Sequence, residues 1–170
     1  MNMSQRITFF VPGVPAPGGS KRFVGFGKKT GKAILVDAAG QRNKDWRASV
    51  GWCGSEAMQG GLMYGPCRVR MIFFMPRPKG HFDSRGRLRP SAPAVPVTRP
   101  DVLKLARSTE DALTGIVWAD DAQTHTLILQ KRYASPGETA GCKTTITTER
   151  LKDISQSKPQ PTTEPSLFTR

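Results

Sequence analysis

Residues 76–100 read PRPKGHFDSRGRLRPSAPAVPVTRP. No helix or interior strand can run through this segment, because each proline removes a backbone donor and fixes φ. Regular structure must therefore come from the two flanks. Upstream, residues 6–12 (RITFFVP) have the aromatic and β-branched composition of a strand that stops at a proline. Residues 33–37 (AILVD) give a short second strand, and 66–75 (PCRVRMIFFM) give the strongest one, expected to be central. Between them, Trp46, Val50, Cys53 and Ala57 recur on one face of a helix over 41–58, closed by Gly60-Gly61. Downstream, 102–114 reads as a helix with Asp101 just outside it. A strand over 122–133 and a turn at 135–138 follow, with 141–150 expected as the second strand of that hairpin. Beyond residue 152 the composition is that of a disordered tail, 153–170.

Charge narrows the partners. Lys and Arg number 26 against 13 Asp and Glu, a formal net charge of +13, spread along the whole chain. Such a balance points to a polyanion, nucleic acid first. No apolar run is long enough for a membrane span, and residues 1–11 do not read as a secretory signal. Cys53, Cys67 and Cys142 form no paired motif, so neither a zinc site nor a disulfide framework is expected, and a reducing cytoplasm fits. The loop PGVPAPGGSKRFVGFGKK lacks the order of a phosphate loop, so no nucleotide cofactor is expected. Its Lys21 and Arg22, interleaved with Phe23 and Phe26, suit contact with a nucleic-acid backbone, although a merely solvated hairpin reads equally well. The 76–100 segment carries Arg77, Lys79, Arg85, Arg87, Arg89 and Arg99 against one acid, Asp83. It is read as a mobile DNA-contacting flap, with a plain disordered insertion as the alternative.

The acids are not spread. Five of the 13 are Asp101, Glu110, Asp111, Asp120 and Asp121. Gathering carboxylates creates repulsion that a hard divalent cation relieves, and Mg²⁺ typically takes one or two carboxylates together with substrate phosphate. The plainer reading is local pairing, with Asp101 as a helix cap, Glu110 and Asp111 bonded to Arg107, and Asp120-Asp121 in a turn.

The ordered series Arg99-Pro100-Asp101, Asp111-Ala112-Leu113-Thr114-Gly115, Trp118, Asp120-Asp121, Gln123 and Lys131 resembles the RusA family of Holliday-junction resolvases, of phage or prophage type. The resemblance is strong across 98–133 and looser in the first strand and in 66–75. It implies a single α/β (α+β) domain, residues 1–152, with a mixed, mostly antiparallel sheet packed by two helices. It further implies a homodimer that makes paired cuts in branched DNA during recombination and repair. The enzyme would depend on Mg²⁺, with Mn²⁺ able to substitute, and would work in the bacterial cytoplasm, associated with the nucleoid. Asp101 and Asp121 would be metal ligands with Asp120 beside them. Arg107 stands at the family's catalytic lysine position; arginine holds phosphate but does not donate a proton, so its expected role is charge stabilisation.

One departure matters. Leu103 stands where the family has a second Asp, and Lys104 where it has Asn. On a helical wheel, Val102, Leu105, Ala106, Thr109, Ala112 and Leu113 share one face, whereas Leu103 falls on the flank with Arg107, Glu110 and Thr114. The expectation is that the carboxylate has moved to Glu110, giving a metal set of Asp101, Asp121 and Glu110. In the alternative Glu110 pairs with Arg107 or Lys104. Phosphate contacts are expected from Lys21, Arg22, Arg77, Lys79, Arg85, Arg87, Lys104 and Lys131. The competing function is a branched-DNA-binding protein without turnover, supported by Leu103. A PD-(D/E)xK nuclease is disfavoured, because no (D/E)xK follows Pro100-Asp101 on a plausible strand.

Overall fold

Cys67–Met75 is β4, and it alternates with Val69, Met71 and Phe73 fully buried on one side and Arg68 and Arg70 exposed on the other. It is identified in a computed structural model that describes residues 4–19, 21–37 and 40–149. β4 is an interior strand, as the sequence implied. It pairs parallel with β5 (Thr124–Tyr133) and antiparallel with β6 (Gly141–Thr148), and β6 pairs antiparallel with β1 (Arg6–Pro12). The sheet order is β1-β6-β4-β5. The expected 122–133/141–150 hairpin is therefore corrected. The two strands are separated by β4, and residues 122–123 belong to a short 3₁₀ turn, Asp121–Gln123, rather than to the strand. The parallel β4–β5 pair explains why: parallel neighbours need a crossover of a dozen or more residues, and here it is the proline-rich segment plus α2 (Val102–Leu113).

The fold is α+β. α2 and α1 (Gln41–Ala57) cover one face of this mixed sheet, and β2 (Lys21–Phe26) and β3 (Ala33–Asp37) form a separate two-stranded ribbon. β2 falls in the Gly/Pro-rich segment for which the sequence implies a loop. Its strand character is legible only through pairing with β3, because Gly25 interrupts it and shifts the register. α2 buries Leu105, Ala106, Ser108, Thr109 and Leu113; of the expected stripe Val102 and Ala112 are only half-buried, Ser108 is added, and Leu103 is 68% exposed. Ser108 is tolerated inside because its hydroxyl donates to Asn43 Oδ1 at 2.5 Å. Thr109 accepts from Trp46 Nε1 at 3.3 Å while donating to the Leu105 carbonyl.

The 76–100 segment is not structureless. A 3₁₀ turn at Lys79–His81 leads into a small loop closed by Phe82–Leu88 bridging. At its tip the Asp83 carboxylate accepts from the Arg85 and Arg87 backbone N–H groups and from Arg87 Nε. The proposed tail, 153–170, lies outside the described residues. Among the described residues, no helix is long and apolar enough to cross a membrane.

The two helices approach closely at glycine. A Cβ on Gly54 of α1 would stand 2.6 Å from Leu113 Cδ2 and 3.5 Å from Val117 Cγ2. Gly54→Val should therefore overpack the contact and destabilise the fold by about 1–3 kcal/mol, measured as a lower urea midpoint with an unchanged slope.

Candidate functional site

The acidic motif is organised by two neutral residues. Trp118 is fully buried, and its Nε1 donates to Thr114 Oγ1 at 3.3 Å. Gln123 donates to the carbonyls of Met63 and Gly65, both at 3.1 Å, and accepts from the backbone N–H groups of Ala119 and Asp120. The intervening residues are thus pinned at both ends. Asp120 caps the 3₁₀ turn, its Oδ1 accepting from the Ala122 N–H at 2.8 Å. Asp120 thus has one carboxylate oxygen engaged in the turn and remains exposed. Asp121, next to it, is exposed and has no ion pair among the described residues.

Asp121 and Glu110 form the electrostatic heart of the site. Burial raises the Glu110 pKa above its ordinary value, and the charges of Asp121 and Asp111 push it the same way. The Thr124 hydroxyl opposes this, lying near enough to stabilise the carboxylate. Among the described residues Thr124 Oγ1 is buried and makes no well-formed hydrogen bond. Glu110 makes no salt bridge with Arg107 or Lys104, contrary to the simpler expectation, and Asp111 is the one that pairs, with Arg47 at 3.6 Å. Two carboxylates and an orphaned hydroxyl make a hard-oxygen donor set short of positive charge, which suits Mg²⁺.

Asp101 lies elsewhere. It occupies the N-cap position of α2 but makes no side-chain cap bond, so capping does not account for it; its carboxylate is 3.5 Å from Lys104 Nζ. Glu110 is nine residues further along a continuous helix, an axial rise of about 13 Å. That exceeds what one Asp and one Glu side chain can bridge through a single ion. The three-ligand set Asp101, Asp121 and Glu110 is thereby corrected, and among the described residues no three acidic, histidine or cysteine side chains converge as a metal cage. Nor is Glu110 a like-for-like replacement for a carboxylate at position 103, two turns away. Asp101 instead borders a cavity of about 700 Å³ that also presents Arg42, Arg99 and Lys104.

The expected phosphate contacts separate into free and engaged groups. Lys21 and Arg22 are exposed on the β2–β3 ribbon beside Phe23 and Phe26, whose rings meet edge-on at 5.1 Å. Lys79 and Arg85 are exposed, and Arg87 is tied to Asp83 at 3.0 Å. Lys104 is shared with Asp101. Two of the expected contacts are already engaged within the protein. Lys131 donates to the Thr98 and Pro100 carbonyls, both at 2.8 Å, so it clamps the chain entering α2. Arg77 is half-buried, stacks 4.3 Å over the Tyr133 ring and donates to the Pro93 carbonyl. Arg107 is exposed and makes no ion pair among the described residues, and its side chain runs beside Gly19. A Cβ on Gly18 would meet Ser108 Cβ at 3.1 Å, and Gly18 N–H donates to the Lys104 carbonyl, so the glycine pair lets the 13–19 loop lie against α2.

With this geometry in view, the chain matches the family model described as "Endodeoxyribonuclease RusA" over residues 12–140. The chain belongs to the RusA endodeoxyribonuclease family. The match runs from the end of β1 through Asp101, α2 and the Asp121 turn to the start of β6, so it covers both acidic positions. The chain is also similar to "Uncharacterized protein YqaN" of Bacillus subtilis (strain 168), 26% identical over 130 residues, 75% of this chain and 88% of that protein.

Gln123 belongs to the motif but carries no structural role in it, and Thr124, Ser108 and Gly18 carry no signal in the sequence. A Gln fixing a loop and a Gly admitting a backbone leave no local periodicity, so only the motif spacing marked Gln123. The Glu110 environment has a direct consequence for stability. Its folded pKa is raised, so the unfolded chain ionises first, and native stability is lost as pH rises above the ordinary value of 4.5. Below that value both states hold the proton and the penalty vanishes. In EDTA, Glu110→Gln should melt a few degrees above wild type at about pH 7.5, the difference closing toward pH 4.5. Parallel melting curves across the range would exclude this reading.

Proposed function

We propose that this family member is a Mg²⁺-dependent endodeoxyribonuclease that resolves four-way DNA junctions, acting as a homodimer that makes paired cuts. The observation that carries the reading is the uncompensated Glu110–Asp121 pair beside the orphaned Thr124 hydroxyl, in a chain of charge +13 that otherwise collects cations. A protein that only binds DNA gains nothing from unpaired carboxylates at its phosphate-contacting edge. Bound there, Mg²⁺ would supply Lewis acidity toward the phosphate and the attacking water. Mn²⁺ has the same preference for oxygen ligands and would substitute.

Asp121 and Glu110 would hold the ion, with Thr124 contributing its hydroxyl. Asp101, in the cavity with Arg42, Arg99 and Lys104, would act at the other end of α2, where the family has its acidic block. Arg107 would hold a phosphate and offset charge developing on it, because a guanidinium donates bidentately and keeps its proton. Lys21 and Arg22 would grip the backbone from the ribbon. A twofold dimer would bring two identical sites to two strands of like polarity. A soluble location in the bacterial cytoplasm accompanies this proposal.

The decisive measurement mixes the protein with a labelled four-way junction and a linear duplex of the same sequence, in Mg²⁺ and in EDTA. Paired nicks in the junction, in Mg²⁺ alone, are expected. A mobility shift without cleavage would convert the protein into a junction binder, the reading that Leu103 favours. Asp121→Asn and Arg107→Ala should each slow cleavage by roughly 10²-fold or more while leaving the shift in place. Comparing Asp101→Asn with Glu110→Gln shows which end of α2 the chemistry needs. If Glu110→Gln cleaves at the wild-type Mg²⁺ concentration dependence, Glu110 is not a ligand.

A further inference from the structure

The two helices cover one face of the four-stranded sheet. The register fixes what the other face shows. Arg6, Thr147, Arg68 and Thr126 share one cross-strand row, and Thr8, Thr145, Arg70 and Ile128 share the next. A third row holds Phe10, Lys143, Ile72 and Gln130. Arg6, Thr8, Arg68, Arg70, Lys143 and Gln130 are exposed. An amphipathic sheet would be expected to carry mixed charges on its wet face. This face is cationic instead, and its acids are already spent. Glu149 is bonded to Arg68 and to His125 Nε2, and Glu138 is taken bidentately by Arg132. Arg6, Arg70 and Lys143 have no acidic partner among the described residues.

We infer that this open sheet face is a second nucleic-acid surface, which holds DNA backbone on the side of the sheet opposite α2. The inference rests on the DNA-acting reading above and adds a contact surface to it. Strand geometry sets the spacing: Arg68 and Arg70, two residues apart, are roughly 7 Å apart along β4, and Arg6 lies two strands from Arg68, roughly 10 Å away. The cations therefore form a grid rather than a point, suited to successive phosphates of a chain laid across the strands. Thr8, Thr126, Thr145 and Thr147 fill the positions between them; Thr8 and Thr145 share a hydrogen bond at 3.1 Å and Thr126 meets His125 Nδ1 at 3.0 Å, so they add neutral polar surface that would not repel phosphate oxygens. A second copy of the protein is disfavoured, because two such faces repel. A lipid surface is disfavoured by the scarcity of apolar side chains to insert, Phe10 and Ile128 being 39% and 43% exposed. In a four-way junction the surface would hold an arm other than the one at Asp121.

The test uses the full chain in EDTA, so that binding is read without cleavage. A fluorescein-labelled four-way junction is titrated at a series of salt concentrations with wild type, with Arg70→Gln, and with the triple variant Arg6→Gln, Arg70→Gln, Lys143→Gln. All three side chains are exposed, and matching melting curves confirm the fold. The triple variant should bind at least about tenfold more weakly, and the slope of log affinity against log salt should fall by roughly 3, with the single variant losing roughly 1. Wild-type binding with identical affinity and slope in both variants overturns this inference and leaves the nuclease reading standing. A wild type that binds no DNA overturns both. If the triple variant keeps its DNA affinity but loses sedimentation with vesicles rich in phosphatidylserine, the face serves a lipid surface and the inference is likewise overturned.

Discussion

The parallel pairing of β4 with β5 is the constraint from which the rest follows. Two neighbouring strands that run the same way cannot be joined by a turn. The chain must leave the end of β4, travel back outside the sheet and re-enter at the start of β5. The return journey is made by the proline-rich loop and α2, and every acidic residue of the site lies on α2, at its N-terminus or in the short turn that leads into β5. The topology thus decides that Asp101 sits where the crossover helix begins and Asp121 where the next strand starts. Burial of Trp118 and the bonds of Gln123 fix the second of these positions.

Much of this was legible in the sequence. β1, β3, β4 and both helices fall within a residue or so of their expected bounds, because their apolar residues recur at the period of the element and their ends carry Pro or Gly. The face of α2 was readable for the same reason, including the exposure of Leu103. Strand partnership was not. The pattern of β5 and β6 is the same whether they pair with each other or with β4 between them. β2 has a glycine in its middle, and only its partner makes it a strand.

The site was half legible. Motif spacing marked the acids but could not say which carboxylates are already employed. Asp120 caps a turn, Asp111 meets Arg47, and Asp101 stands at a cap position without capping. Among the described residues Glu110 and Asp121 make no ion pair, and each charge disfavours the other. A helical wheel puts Glu110 at nearly the same angle as position 103, and the two turns of helix between them, also readable from the sequence, keep it from being a like-for-like replacement. Motif spacing is blind to the basic residues in the same way, since Lys131 and Arg77 look like any other cation until their carbonyl partners are known.

β5 begins beside Glu110 at Thr124 and, seven residues on, its Lys131 ammonium grips the two carbonyls just ahead of Asp101. The strand therefore behaves as a strut between the two ends of α2. A strut of this kind turns a separation into a gauge. The acidic positions at the start of the helix and at Glu110 are thereby held apart by a fixed rise of about 13 Å along α2. Slack at the Lys131 clamp would alter that interval before it altered either position's own chemistry.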